Sequence, residues 1–167
     1  MKTIGIFYGS TTGNTESAAK QIQKAFGSDA EIYEVRLAKA GDVEAYDFVI
    51  FGSSTWGAGD LQDDFDMFMN EIGKADLAGK KAAIFGCGDQ ASFGSTYVDA
   101  IGKIYAALSD KGCEIVGKTS TEGYAHDVSE AEVDGQFVGL ALDEDNQGEL
   151  TEERIAAWVE QLKSEFN

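Results

Sequence analysis

Thr3-Ile4-Gly5-Ile6-Phe7-Tyr8-Gly9-Ser10-Thr11-Thr12-Gly13-Asn14-Thr15-Glu16 is the stretch on which the reading of this chain turns. Thr3 to Tyr8 reads as a buried strand and Gly9 to Thr15 as a loop. From 15 to 27, Ala18, Ala19, Ile22, Ala25 and Phe26 recur on one helical face. A loop that runs from a buried strand into a helix presents backbone N–H groups with the helix dipole behind them, which is an anion site. Ser10, Thr11, Thr12, Thr15 and the Asn14 amide add neutral donors. The loop lacks both the Gly-Lys-Ser/Thr ending of a Walker A sequence and the GxGxxG spacing of a dinucleotide site. It holds no Lys or Arg, so a phosphate there would be held by dipoles alone. That suits a terminal phosphomonoester that is not transferred. Capping of the helix by Ser/Thr is the plainer alternative.

The alternation continues outward from this unit. Glu31 to Val35 and Phe48 to Phe51, the latter ending at Gly52, read as strands, and 63–72 as a helix burying Phe65, Phe68, Met69 and Ile72. Lys81 to Phe85 reads as a fourth strand ending in Gly86-Cys87-Gly88. Residues 96–110 repeat the helical pattern through Val98, Ile101, Tyr105 and Leu108. A fifth strand starts near Glu114 to Lys118, followed by a polar excursion over 119–136 and an apolar run from Phe137 to Leu142. The last helix carries Ile155, Trp158, Val159, Leu162 and Phe166 on one face, with Thr151 as its N-cap and Glu152 and Glu153 in its first turn. Such alternation argues for a parallel sheet covered on both faces, forming one domain over 1–167. Ligands of such sheets bind beyond the carboxyl ends of the strands, at the topological switch point. The loops 9–15, 52–60 and 86–96 are therefore where function is sought.

Charge narrows the class of partner. Thirty Asp and Glu against thirteen Lys and Arg give a net charge of −17. That excludes nucleic acid and anionic membranes and favours basic protein surfaces, with salt-sensitive association. The short apolar run after Met1-Lys2 is too brief for a signal peptide, and no stretch is long enough to span a bilayer, so a cytoplasmic protein is expected. Cys87 and Cys113 form no CxxC pair and read as reduced thiols packed as small hydrophobes.

The second loop, Gly52-Ser53-Ser54-Thr55-Trp56-Gly57-Ala58-Gly59-Asp60, sets a Trp among glycines at a strand's carboxyl end. A planar ring would stack on it. The third, Gly86-Cys87-Gly88-Asp89-Gln90-Ala91-Ser92-Phe93-Gly94, adds flexible amides and another aromatic, Phe93; a place in the core under the following helix is its plainer reading. Together the loops describe a ligand with a phosphate at one end and an aromatic plane at the other.

At this point the chain resembles the long-chain flavodoxins over nearly its whole length. The resemblance rests on Tyr8 to Glu16, on Thr55-Trp56 with Gly59 and Leu61-Gln62, and on Phe85-Gly86-Cys87-Gly88-Asp89-Gln90. It continues through Ser120-Thr121-Glu122-Gly123-Tyr124 and the run from Phe137 to Gln147. It implies a flavodoxin-like three-layer α/β sandwich: a five-stranded parallel sheet in the order 2-1-3-4-5 with helices on both faces. It also implies one non-covalent flavin mononucleotide (FMN) at the switch point between strands 1 and 3. Ser10, Thr11, Thr12, Gly13, Asn14 and Thr15 would hold the phosphate. Thr55, Trp56, Gly57, Ala58 and Gly59 would line one side of the ring, Cys87, Gly88, Asp89 and Phe93 the other, and Asp145 would lie at the ribityl. The family usually has Tyr where this chain has Phe93. The excursion at 119–136 matches the insertion that splits the fifth strand in long-chain members.

The implied function is a low-potential one-electron carrier, cycling mainly between the flavin semiquinone and hydroquinone, acidic, monomeric and not itself an enzyme. Its partners would be of the ferredoxin–NADP reductase, photosystem I, pyruvate oxidoreductase or nitrogenase type. Asp60, Asp63, Asp64 and Asp66 near the flavin edge would disfavour a second negative charge on the ring, although acids also suit an exposed helix start. Gly57 would let the peptide after Trp56 turn over to accept a hydrogen bond from the flavin. Two other readings stay open: an FMN-dependent NAD(P)H:quinone reductase on the same fold, and a colourless acidic module such as a receiver domain, against which Gly52-Ser53-Ser54 stands where a phosphoacceptor Asp is needed. Asp143 to Gly148 faintly resembles a calcium loop, but its twelfth position is Arg154. His126 reads as a solvated surface residue.

Overall fold

The computed structural model describes residues 3–167; Met1 and Lys2, the lead-in to the first apolar run, lie outside them. Strand β1 (Ile4–Gly9) is buried along its whole length, as a strand covered on both faces must be. Helix α1 (Asn14–Phe26), strand β2 (Ala30–Glu34) and the short helix α2 (Ala40–Glu44) follow. Strand β3 (Phe48–Trp56) runs past Gly52, where the sequence suggested its end, and folds back through β4 (Asp60–Leu61). Thr55 pairs with Leu61 and Trp56 with Asp60, antiparallel. Next come α3 (Asp63–Lys74), β5 (Lys81–Cys87) and α4 (Asp99–Leu108). Short strands β6 (Glu114–Ile115), β7 (Thr119–Ser120), β8 (Glu132–Val133), β9 (Gln136–Phe137) and β10 (Leu140–Leu142) precede α5 (Glu144–Gln147) and α6 (Thr151–Glu165).

The main sheet has the order β10-β5-β3-β1-β2 and is parallel along that path. Counted as principal strands, this is the expected 2-1-3-4-5. The fifth position is filled by two separate pieces on one edge of β5: β6 pairs at Lys81 and Ala82, and β10 at Phe85, Gly86 and Cys87. The chain between them forms a small antiparallel sheet, β7-β9-β8. Side chains alternate across the pleat. Ile4, Ile6 and Tyr8 join Ile22, Phe85, Trp158 and Leu162 on the face covered by α1 and α6. Phe7, Val49, Phe51 and Ile84 meet Phe65, Phe68, Ile101 and Ile104 on the face covered by α3 and α4. The chain leaves β1 and β3 toward opposite faces, and the crevice this opens at their carboxyl ends positions the site.

Three local expectations need correction. Leu150, not Thr151, is the cap of α6; Thr151 is its first residue, with a buried hydroxyl that finds no hydrogen-bond partner. Ala25 turns outward while Ala18, Ala19 and Ile22 carry the buried face of α1. The His126 side chain is only 6% exposed: it pairs with Glu132 and packs among Tyr97, Tyr124 and Phe137. Among the described residues, no helix is long and apolar enough to cross a membrane.

Candidate functional site

A cleft of about 730 Å³, its open mouth included, lies beyond the carboxyl ends of β1, β3 and β5. One end is the loop between β1 and α1. Ser10 Oγ accepts the Gly13 N–H (3.2 Å), and Gly13, at φ +99°, turns the chain into α1. The first N–H groups of α1 have no acceptor within the helix. Thr12 and Asn14 line the cleft. Ser10, Thr11, Gly13 and Thr15 belong to the same turn but do not line the cleft. Thr11 Oγ1 accepts from Gln62 Nε2 (3.1 Å), while Gln62 Oε1 caps α3 by accepting the Phe65 N–H (3.0 Å). Thr15 is buried beside Cys87.

The second wall is the end of β3. Ser54, Thr55, Trp56 and Gly57 line the cleft. Thr55 Oγ1 accepts the Ala100 N–H (3.1 Å), anchoring the strand end to α4. Trp56 is 40% exposed, and its Nε1 donates to Ser54 Oγ (2.8 Å). The hairpin turns through Gly57 (φ +50°), Ala58 and Gly59 (φ +98°), which carries it behind the wall; Ala58 and Gly59 do not line the cleft. At Gly59 only glycine fits, because a Cβ would meet Asp99 Oδ2 at 2.6 Å.

The third wall is the loop after β5, with Cys87, Gly88, Asp89 and Phe93 facing the cleft, and Asp145 from α5 at its rim. Phe93 is half exposed and so lies outside the core under α4. Asp89 Oδ1 accepts the N–H groups of Ala91 (3.1 Å) and Ser92 (2.9 Å) and Asn146 Nδ2 (2.8 Å), which holds its carboxyl below the usual range. Asp145 goes the other way: burial first, then the neighbouring Asp89, Asp143 and Glu144, raise its carboxyl. Burial pushes the Cys87 thiol up to about 12. Beneath the wall sits Asp143, fully buried. It accepts from the Gln90 N–H (3.0 Å), Gln90 Nε2 (2.8 Å), the Asn146 N–H (3.0 Å) and Asn146 Nδ2 (2.9 Å).

The insertion props this wall from outside. Asp127 and Val128 donate their N–H groups to the Gly94 carbonyl (2.8 and 3.0 Å), and the Glu130 N–H donates to Asp99 Oδ1 (2.8 Å). Ser129 Oγ donates to the Tyr97 carbonyl. Four lining residues escaped the sequence reading: Ser54, Thr96, Tyr97 and Val98. Ser54 was legible in principle, since 54 and 56 share a face once β3 is extended. The helical pattern over 96–110 predicts a helix that takes in Tyr97 and Val98. They precede α4 instead, with Val98 at φ +46° and the Tyr97 ring packed on Gly88. Among the described residues, no group of His, Cys, Asp and Glu is placed to hold a metal ion.

The arrangement offers neutral donors and a helix N-terminus at one end, two exposed rings at the other, and carboxylates at the rim. Residues 6–158 match the family model described as Flavodoxin. The flavodoxin of Nostoc sp. is 46% identical over 166 residues, covering 99% of this chain and 98% of that protein. Flavodoxin 1 of Escherichia coli is 43% identical over 169 residues, covering 100% and 96%. Among solved structures, the Fusobacterium nucleatum flavodoxin bound to flavin mononucleotide superposes with a TM-score of 0.94 at 32% identity, covering 100% of both chains.

Proposed function

Taking as premise that this chain belongs to the flavodoxin family, we propose that it binds one FMN in the cleft and carries single electrons between larger redox enzymes. The observation that carries the reading is the composition of the cleft along its length. At one end the orphan N–H groups of α1, open space beside Gly13 and the hydroxyl-rich loop Ser10 to Thr15 suit a phosphomonoester held without cations. At the other, Trp56 and Phe93 are exposed rings on facing walls, suited to cover the two faces of a flat heterocycle. The residues present therefore fit FMN.

Thr12 and Asn14 would contact the phosphate directly, with Ser10, Thr11, Gly13 and Thr15 shaping the turn. Thr55, Trp56, Gly57, Cys87, Gly88, Asp89 and Phe93 would bracket the ring, and Asp145 would lie near the ribityl. Bound FMN supplies a ring that accepts and returns electrons one at a time. The protein binds and orients it, shields its faces with Trp56 and Phe93, and surrounds its edge with carboxylates. Asp89 and Asp145 line the cleft and Asp60 pairs with Trp56 in the hairpin, so these carboxylates disfavour added negative charge there. Lys24, Lys74 and Lys163 occupy the last turns of α1, α3 and α6, at the opposite end of the sheet.

That polarity points the cleft end at a basic surface. Such partners are redox proteins, of the ferredoxin–NADP reductase, photosystem I, pyruvate oxidoreductase or nitrogenase type, met in the cytoplasm by a monomer working as one domain over 1–167. Titrating the apoprotein with FMN while following flavin fluorescence tests the cofactor reading: quenching that saturates at one FMN per chain supports it, and no saturable quenching refutes it. Electron transfer from a basic reductase that slows steeply with ionic strength supports the docking reading; a salt-independent rate overturns it.

A further inference from the structure

We infer that Ser54 is a positioning residue for the cofactor-covering ring of Trp56, an inference that rests on the FMN reading above. The backbone of Trp56 is fixed in the hairpin: it pairs with Asp60, and its carbonyl accepts the Gly59 N–H (3.1 Å). The indole itself stands in the cleft, 40% exposed. Its one polar atom, Nε1, donates to Ser54 Oγ at 2.8 Å. The bond follows from strand geometry. Residues 54 and 56 lie two apart in β3 and project from the same face. The long indole folds back over the short serine.

Neighbouring hydroxyls have other work, which makes the Ser54 contact specific. Ser53 is buried, donating to the Ser54 carbonyl (2.9 Å) and accepting the Gln62 N–H (3.1 Å). Thr55 faces α4 and accepts the Ala100 N–H. Ser54 and Thr55 both line the cleft, and of the three hydroxyls it is Ser54 Oγ that receives the indole. A ring held in one orientation before the cofactor arrives does not have to be ordered on binding, and that saving appears as affinity. Tethering one edge also leaves the indole face free for stacking.

The test compares wild type with Ser54→Ala and Ser54→Thr, since Thr keeps the hydroxyl and is suited to a strand. The ¹⁵N–¹H spectrum of the apoprotein carries two indole resonances. Trp158 Nε1 donates to the Gly117 carbonyl (2.8 Å) in the core and reports the fold. The Trp56 resonance reports the contact. With Ser54→Ala the Trp56 indole proton should move upfield while Trp158 stays in place. The Kd for FMN and that for riboflavin should rise by the same factor, about fivefold, the scale of one neutral hydrogen bond. Ser54→Thr should restore both resonance and affinity. A Trp56 resonance and Kd unchanged in Ser54→Ala, or a Thr variant as weak as Ala, would overturn the inference. Failure of the wild-type chain to bind FMN would instead sink the cofactor reading, with the indole shift still reporting on the contact itself.

Discussion

Replacing Asp143 by Asn keeps the volume of a fully buried side chain but exchanges an acceptor for a donor in the middle of four donors. In the native protein Oδ2 receives Gln90 N–H, Gln90 Nε2 and Asn146 Nδ2, and Oδ1 receives the Asn146 N–H as the cap of α5. The best orientation of an Asn leaves its oxygen in the Oδ2 position and turns its NH2 toward the Asn146 N–H. The cap is then lost, at about 1 kcal/mol. The surviving bonds to Gln90 lose their charge assistance, at about 1 kcal/mol each. The sum is about 3 kcal/mol. For a chain of this length that corresponds to a fall in Tm of about 6–12 °C, measurable by circular dichroism on the apoprotein. FMN affinity should fall as well, because Gln90 and Asn146 hold the segments that carry Asp89 and Asp145. An apoprotein Tm within about 2 °C of wild type would show that the buried carboxylate does not tie these loops together, and the account of the third wall would have to be abandoned.

Gly59→Ala should lower stability by more than about 2 kcal/mol, through a left-handed backbone and the approach to Asp99, seen as a lower urea midpoint; an unchanged midpoint contradicts the hairpin geometry. Phe93→Ala should weaken FMN binding at least about tenfold, whereas Phe93→Tyr, which keeps the ring, should change it by less than about threefold; equal losses in both variants would remove Phe93 from the site. Burial raises the Cys87 thiol from 9.0 to about 12, so the folded state holds this proton more tightly than the unfolded chain. The associated stability is complete below about pH 9 and is lost as pH rises through about 12, with a slope approaching 1.4 kcal/mol per pH unit. Cys87→Ala should flatten the stability curve in that window; a curve parallel to wild type would mean the thiol is not shielded.

Much of the fold was legible because it depends on periodicity. The continuous burial of Ile4 to Tyr8 and the stripe from Ile155 to Phe166 leave one layered solution. The corrections share a different origin, in contacts between residues distant in sequence. His126 sits in a polar stretch, but Tyr97, Tyr124 and Phe137 close over it, and no local pattern announces that. β3 outran Gly52 because β4 pairs with its end, a contact made by a hairpin and not by the strand's own composition. The walls of the cleft were anticipated wherever a loop followed a strand directly. Tyr97 and Val98 were missed because an apolar pair just ahead of a helix looks like its first turn. Ser54 was missed because its function depends on the partner two residues on.

The division of the fifth strand into β6 and β10 has a consequence for how the molecule meets copies of itself. A long, straight outer strand leaves a row of unpaired amides on which another chain can assemble, the usual start of fibril growth. Here that margin of the sheet consists of runs of two and three residues, and the polypeptide departs from the sheet between them. Neither run can seat a foreign strand for long. The same interruption that makes room for the insertion thus blunts the margin against self-assembly, a useful property in a protein that must stay dispersed to shuttle among others.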